Sequence, residues 1–146
     1  MYSRDVRSVA LVACLLVACR TPAPPLAGRS TDAYVRFDGL YTTAPTPEPE
    51  PTRAMLRFYA DKTVLAVTTL GAPDEIVEWF KKGHAHSSTG TYEIYGTSLK
   101  FSTKSRDGVV DYEGTIRGET IELRWHSHIN NESGSHAYRF TRVDVQ

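Results

Sequence analysis

The chain has 146 residues, with 17 Lys or Arg balanced by 17 Asp or Glu, so its formal net charge at pH 7 is zero. No basic block is present to neutralise phosphates, and nucleic acid is not an expected partner. Both cysteines, Cys14 and Cys19, fall within the first nineteen residues, so nothing beyond them can form a disulfide.

The opening stretch, residues 1–19, reads "MYSRDVRSVALVACLLVAC". Arg4 and Arg7 make a positive start, and Val9–Ala18 is an uncharged apolar run. A permanent membrane-crossing helix needs about 20 apolar residues, so this run suits an export signal instead. It ends in "LVAC", Leu16–Cys19, which resembles the lipobox of bacterial lipoproteins: an aliphatic residue, two small ones, then the cysteine that is acylated and becomes the new N-terminus. An earlier copy, Leu11–Cys14, has too little apolar chain ahead of it for an h-region of roughly 7–15 residues. The resemblance therefore implies lipidation at Cys19 and membrane attachment through it; the alternative is an ordinary secretory signal with incidental cysteines. A domain without cysteines behind an export signal fits a cysteine used as an anchor. Acyl chains supply ~0.8 kcal/mol per buried methylene. Arg20 stands where the inner-membrane retention signal of enteric bacteria has Asp, which favours the outer membrane of a bacterial cell envelope.

Residues 20–33, "RTPAPPLAGRSTDA", are rich in proline and small side chains and read as a flexible tether. Residues 34–146 are then one domain, large enough to bury a core without staples. Period-two alternation dominates it. "FDGLYTT" (Phe37–Thr43) makes a first strand. "AMLRFYADKTVLAV" (Ala54–Val67) turns at Asp61-Lys62, which pairs Phe58 with Leu65 and Leu56 with Val67. "GAPDEIVEWFKKG" (Gly71–Gly83) predicts a short amphipathic helix: Pro73 at its first position, Asp74 and Glu75 in the first turn, Lys81 and Lys82 in the last, Gly83 as the stop. Ile76, Trp79 and Phe80 share its apolar face.

"GTYEIYGTSLKFST" (Gly90–Thr103) predicts a hairpin through a type II′ turn at Gly96-Thr97, with Tyr92 opposite Phe101 inside and Glu93 opposite Lys100 outside. "VVDYEGTIRGETIELRWH" (Val109–His126) turns at Gly118-Glu119, pairing Ile116 with Ile121, Tyr112 with Trp125, Glu113 with Arg124 and Asp111 with His126. "SHAYRFTRV" (Ser135–Val143) is the last strand. Two registers compete for the final hairpin. Pairing His128 with His136 would cluster imidazoles but turn Tyr138 and Phe140 outward. Pairing Trp125 with Phe140 and Ser127 with Tyr138 keeps every ring inside, and burial at roughly 1.5–3 kcal/mol per ring selects it. His126 and His128 then face out, His126 between Asp111 and Arg139, and His136 turns toward the barrel mouth.

Eight strands in meander order, with tight turns at one end and long connections at the other, predict an all-β, eight-stranded antiparallel up-and-down barrel with one short helix between strands 3 and 4. Closure removes exposed edges. Both ends of the domain fall at the tight-turn end, so the loop-rich mouth faces away from the anchor. The arrangement resembles the lipocalin-like barrels across the whole domain, and "GLY" (Gly39–Tyr41) is similar to the glycine-x-aromatic entry of a lipocalin first strand. The resemblance implies carriage of a small apolar ligand.

The predicted interior holds Phe37, Tyr41, Phe58, Tyr92, Phe101, Tyr112, Trp125, Tyr138 and Phe140; apart from Phe37, these are the candidate ligand contacts. The same rings could simply fill the barrel, since bulky side chains consume the volume a ligand needs. Trp79 and Phe80 are candidates for a lid over the mouth, or for a permanent plug. No nucleophile elbow, carboxylate pair or surviving free cysteine is evident, so no catalytic residue, metal site or cofactor is assigned and an enzyme is not expected. A separate class of function is an envelope interaction module, an inhibitor or assembly accessory, that presents its loops to a protein partner.

Overall fold

The computed structural model describes residues 33–47 and 49–144. The predicted signal peptide, Cys19 and all of the predicted tether except Ala33 lie outside the described residues. Eight antiparallel strands succeed one another around a closed barrel: β1 (Gly39–Thr42), β2 (Arg53–Phe58), β3 (Thr63–Thr69), β4 (Ser88–Tyr95), β5 (Ser98–Lys104), β6 (Val109–Arg117), β7 (Thr120–Ser127) and β8 (Ser133–Arg142). The last strand pairs back onto the first, Phe140 opposite Tyr41, so the sheet has no edge. This is the expected all-β, up-and-down order.

Two hairpins keep the predicted registers. Tyr92 faces Phe101 and Glu93 faces Lys100, around a turn in which Gly96 has φ 59° and Thr97 does not enter the positive-φ region, as a type II′ turn requires. Ile116 faces Ile121, Tyr112 faces Trp125 and Asp111 faces His126. The β2–β3 hairpin corrects the expectation by one residue. Phe58 pairs with Val64 and Leu56 with Ala66, not with Leu65 and Val67. The cause is the turn: Tyr59 N–H donates to the Thr63 carbonyl (2.9 Å), Lys62 N–H donates to the Tyr59 carbonyl (3.1 Å), and Lys62 sits at φ 70°. The left-handed residue adds one position to the loop, and a one-residue slip exchanges the faces of the partner strand.

Leu65 and Val67 consequently point outward with Leu40 and Met55, and an apolar outer wall would be exposed without a cover. The connection between β3 and β4 provides it. Ile76 and Phe80 bury against those four residues, Phe80 completely. The predicted helix over Gly71–Gly83 is not formed; the segment is a turn followed by a single 3₁₀ turn, Val77–Phe80. Ile76, at φ −115° and ψ 13°, breaks the helical run, and the adjacent β-branched Ile76 and Val77 favour helix weakly. The Phe80 carbonyl accepts hydrogen bonds from the Tyr59 hydroxyl and from Arg57 Nη1 (3.3 Å). Lys82 pairs with Asp61 and holds its carboxyl down at about 2.

The last hairpin keeps its predicted faces and changes its offset. Ile121 pairs with Tyr138, Leu123 with His136 and Trp125 with Gly134, in place of the expected Trp125–Phe140 and Ser127–Tyr138. An even displacement leaves each side chain on its face. Ring burial therefore could not distinguish the two. Ser127 N–H donates to the Glu132 carbonyl (2.8 Å), closing the connection early and starting β8 at Ser133. Phe140 then meets β1, where its ring packs edge-on against Tyr41 at 5.3 Å.

Aromatic side chains fill the half of the barrel nearest the tight turns. Phe58 stands at the centre, edge-on to Tyr41 (5.6 Å), Tyr92 (5.1 Å) and Phe101 (5.8 Å). Such pairs contribute about 0.5–1.5 kcal/mol each beyond area burial. The segment before β1 caps this end. Val35 buries beneath the rings, whereas Phe37, expected inside, is 45% exposed because the chain bends across the barrel end before β1 begins. Arg36 N–H donates to the Tyr41 hydroxyl (3.0 Å), and the Arg36 guanidinium lies 4.0 Å from the Phe140 ring centroid. That guanidinium pairs with Asp38 and Glu119, each at 2.7 Å, and Asp38 pairs in turn with Arg142 at 2.8 Å.

Candidate functional site

The opposite end of the barrel is not filled. The inward alternation continues there with small and polar side chains: Thr43 after β1, Ala54 on β2, Thr68 on β3, Thr103 on β5 and Ser127 on β7. They leave a recess of about 550 Å³, walled on one side by Val110, Tyr112, Trp125 and His136 and rimmed by Pro45, Thr46, Asn130 and Glu132. Pockets of roughly 300–1,000 Å³ hold small ligands. The rim is ordered by its own hydrogen bonds. Thr46 N–H donates to the Thr52 carbonyl (2.8 Å), Thr52 N–H donates to Thr46 Oγ1 (2.8 Å), and Asn130 Nδ2 donates to Glu132 Oε2 (2.7 Å).

Of the eight predicted ligand contacts, two line this recess, Tyr112 and Trp125. The other six, Tyr41, Phe58, Tyr92, Phe101, Tyr138 and Phe140, belong to the packed core. Their hydroxyls are engaged internally where partners exist: Tyr41 accepts from Arg36 N–H, and Tyr92 donates to the Tyr59 carbonyl at 2.9 Å. Burial pushes the Tyr138 phenol far up, so it stays neutral. Trp79 and Phe80 are on the outer wall of β1–β3 and do not cover the mouth, a correction that follows directly from the one-residue shift in the β2–β3 turn.

The Trp125 indole is positioned by the strand beside it. It lies against Gly134, where a Cβ would come within 2.8–2.9 Å of three of its ring atoms, and it is stacked near His136 at 5.9 Å between centroids and 20° between planes. Its Nε1 is buried and has no hydrogen-bond partner among the described residues; the same is true of Thr103 Oγ1. Burial pushes the Tyr112 phenol up, and the neighbouring Thr103 hydroxyl offsets part of that rise without reaching hydrogen-bond geometry.

His136 is the mouth residue expected from the sequence, and it reaches the recess. Thr43, Thr68 and Ser127, which line it, were not anticipated as site residues. Their signal was available in the alternation: each continues an inward-facing series past its last large apolar residue.

The outward histidines form a separate surface array. His128 Nε2 is 2.7 Å from Asp111 Oδ2, Ser102 Oγ donates to Asp111 Oδ1 at 2.5 Å, and His126 Nδ1 is 2.8 Å from Ser133 Oγ. The contacts from His128 and Ser102 hold the Asp111 carboxyl below its usual range. Arg139, expected beside His126, pairs with Thr120 because of the changed offset. Among the described residues no group of three or more His, Cys, Asp or Glu is placed to hold a metal ion.

Together the fold and the recess define a small closed β-barrel that is packed at one end and hollow at the other. No protein-family model, no curated protein and no solved structure matches the chain.

Proposed function

We propose that this chain is a bacterial lipoprotein, acylated at Cys19 and held at the outer membrane, whose lipocalin-like barrel binds a small ligand at its mouth. The observation that carries the reading is the recess of about 550 Å³ walled by Tyr112, Trp125 and His136, which is large enough for a ligand of modest size. The anchor reading rests on the sequence of residues 1–19. The chain is non-catalytic in this reading.

Two experiments test the proposal. Cys19→Ser should move the protein out of the membrane fraction and remove the mass of the acyl chains. A hydrophobic fluorescent probe should bind the purified protein, and Trp125→Ala should abolish that binding; retention of full affinity would sink the mouth assignment.

A second reading is favoured by one specific observation, the complete filling of the closed half by six rings. In that reading the barrel is a rigid support and the loops 44–52 and 128–132 engage an envelope protein. Capture of a partner that survives Trp125→Ala but is lost on exchange of those loops would select it.

A further inference from the structure

The charge at the mouth narrows what it can hold, and this inference rests on the ligand-binding reading above. Among the described residues the recess lining contains no Lys or Arg, and its one carboxylate is Glu132. The strand register places that side chain. Ser127 N–H donates to the Glu132 carbonyl (2.8 Å), which carries the β7–β8 pairing beyond His126 opposite Ser133. Glu132 therefore continues the inward series of Gly134, His136, Tyr138 and Phe140, since alternate residues of a strand share a face. It stands about 6.5 Å along the chain from Gly134, the rise of two strand residues.

The carboxylate is held at the rim, and the rings below it are backed by packing. Asn130 Nδ2 donates to Glu132 Oε2 (2.7 Å), and Glu132 N–H donates to Asn130 Oδ1 (3.3 Å). Gly134 backs the Trp125 indole, three of whose ring atoms would lie 2.8–2.9 Å from a Cβ added there. Phe101 backs Tyr112, with centroids 4.6 Å apart and planes 17° from parallel. The indole Nε1 is buried, so Trp125 brings its ring and not its N–H to the recess. A carboxylate one inward position from an aromatic wall suits an ammonium group. The rings attract positive charge through their π faces, and the carboxylate pairs with it. An anion would meet Glu132 as a like charge, and a neutral guest would crowd the carboxylate without offering it a partner.

We infer that the mouth takes a small organic cation, an ammonium on an apolar or aromatic body, with its charge between Glu132 and the Trp125 ring, and that it discriminates against anions. A lipid headgroup carries a phosphate beside its ammonium, and a lining without Lys or Arg leaves that phosphate unmatched, so the occupant is a free amine.

The test is calorimetric titration of the full chain in non-ionic detergent at neutral pH, against a detergent-only blank, with probes that share a phenyl body and differ in charge: 2-phenylethylammonium, 2-phenylethanol and phenylacetate. The ammonium should bind one-to-one and about tenfold tighter than the alcohol, with phenylacetate weaker still. Glu132→Gln should weaken the ammonium about fivefold, the upper end for an exposed ion pair, and change the alcohol by less than about twofold. Glu113→Gln, which removes a carboxylate from the outer wall opposite Arg124, should change neither. An alcohol as tight as the ammonium would overturn the inference, as would a loss of less than about twofold for the ammonium in Glu132→Gln. Displacement of the ammonium by equimolar glycerophosphoethanolamine would overturn the free amine in favour of a lipid headgroup. In each of those cases the mouth still binds a ligand, and the function proposed above stands. If no phenyl probe binds, the hydrophobic fluorescent probe separates the two claims: its Trp125-dependent binding would overturn this inference alone, and its failure would remove both.

Discussion

The two ends of the barrel are built from the same eight strands and end in opposite states. Toward the tight turns, inward positions carry Tyr41, Phe58, Tyr92, Phe101, Tyr138 and Phe140, and Val35 closes the end from outside. Toward the long connections, the corresponding positions carry Thr43, Thr68, Thr103 and Ser127, and a recess remains. Side-chain volume alone accounts for the difference. Rings meeting edge-on fill a small barrel to crystal-like density, whereas hydroxyl-bearing side chains of half that size cannot span it. One half is therefore a packed core and the other is left open, with Tyr112 and Trp125 at the border.

The largest effect should come from the filled half. Phe58→Ala removes the ring on which three others converge and should cost about 3–5 kcal/mol in urea unfolding, the range for deleting a buried aromatic. Trp125→Ala, at the half-buried border, should cost only about 1 kcal/mol, the centre of the distribution for point substitutions, while removing ligand binding. Equal losses from the two would erase the division between a packed half and an open half.

A finer test leaves the mouth's composition nearly intact. Gly134→Ala places a methyl against the indole and should push it into the recess. Binding and the near-ultraviolet circular dichroism of Trp125 should change, with stability altered by no more than about 1 kcal/mol, the scale of a Gly-to-Ala exchange in a strand. A native near-ultraviolet spectrum with full binding would show that the ring is not held as described.

The smallest expected effect is acid sensitivity at the closed end. Hydrogen bonds from Arg36 and then Arg142 hold the Asp38 carboxyl well below its ordinary value of 3.8. The native state thus binds fewer protons there than the unfolded chain, so the contribution is complete above the ordinary pKa and is lost as pH falls below it. Urea midpoints measured downward from pH 5 should decline less steeply in Asp38→Asn than in the parent protein. Because these groups are solvent-exposed, screening keeps the difference small, and high salt should reduce it further. Identical slopes in the two proteins would show that the clasp is not what steadies the closed end.

The strand count, the meander order and closure were all legible in the chain, as were two complete hairpin registers, because alternation and turn residues act over a few neighbours. Gly96-Thr97 and Gly118-Glu119 illustrate this: each glycine adopts positive φ and the flanking pairs follow. Asp61-Lys62 did not announce itself in the same way, since a lysine at φ 70° is not a residue type that signals a left-handed position. The site was legible only in part. Trp125, Tyr112 and His136 were identifiable as inward-facing, but their company in a recess was not, because the filled and hollow halves alternate identically.

Local alternation, a period of two carried by each strand, therefore set the inward and outward faces of the strands other than β3, whose two faces are both apolar and whose orientation the turn decided. The tertiary structure decided three things that no local period contains. It chose the offset of β8, where any even shift keeps the rings inside and closure against β1 selects one. It turned the β2–β3 slip into a second buried surface, covered by Ile76 and Phe80 in place of a lid. It also separated the rings that fill from those that wait at the mouth, because filling depends on the volumes of side chains from eight strands meeting in one place, and those volumes are summed only when the barrel closes.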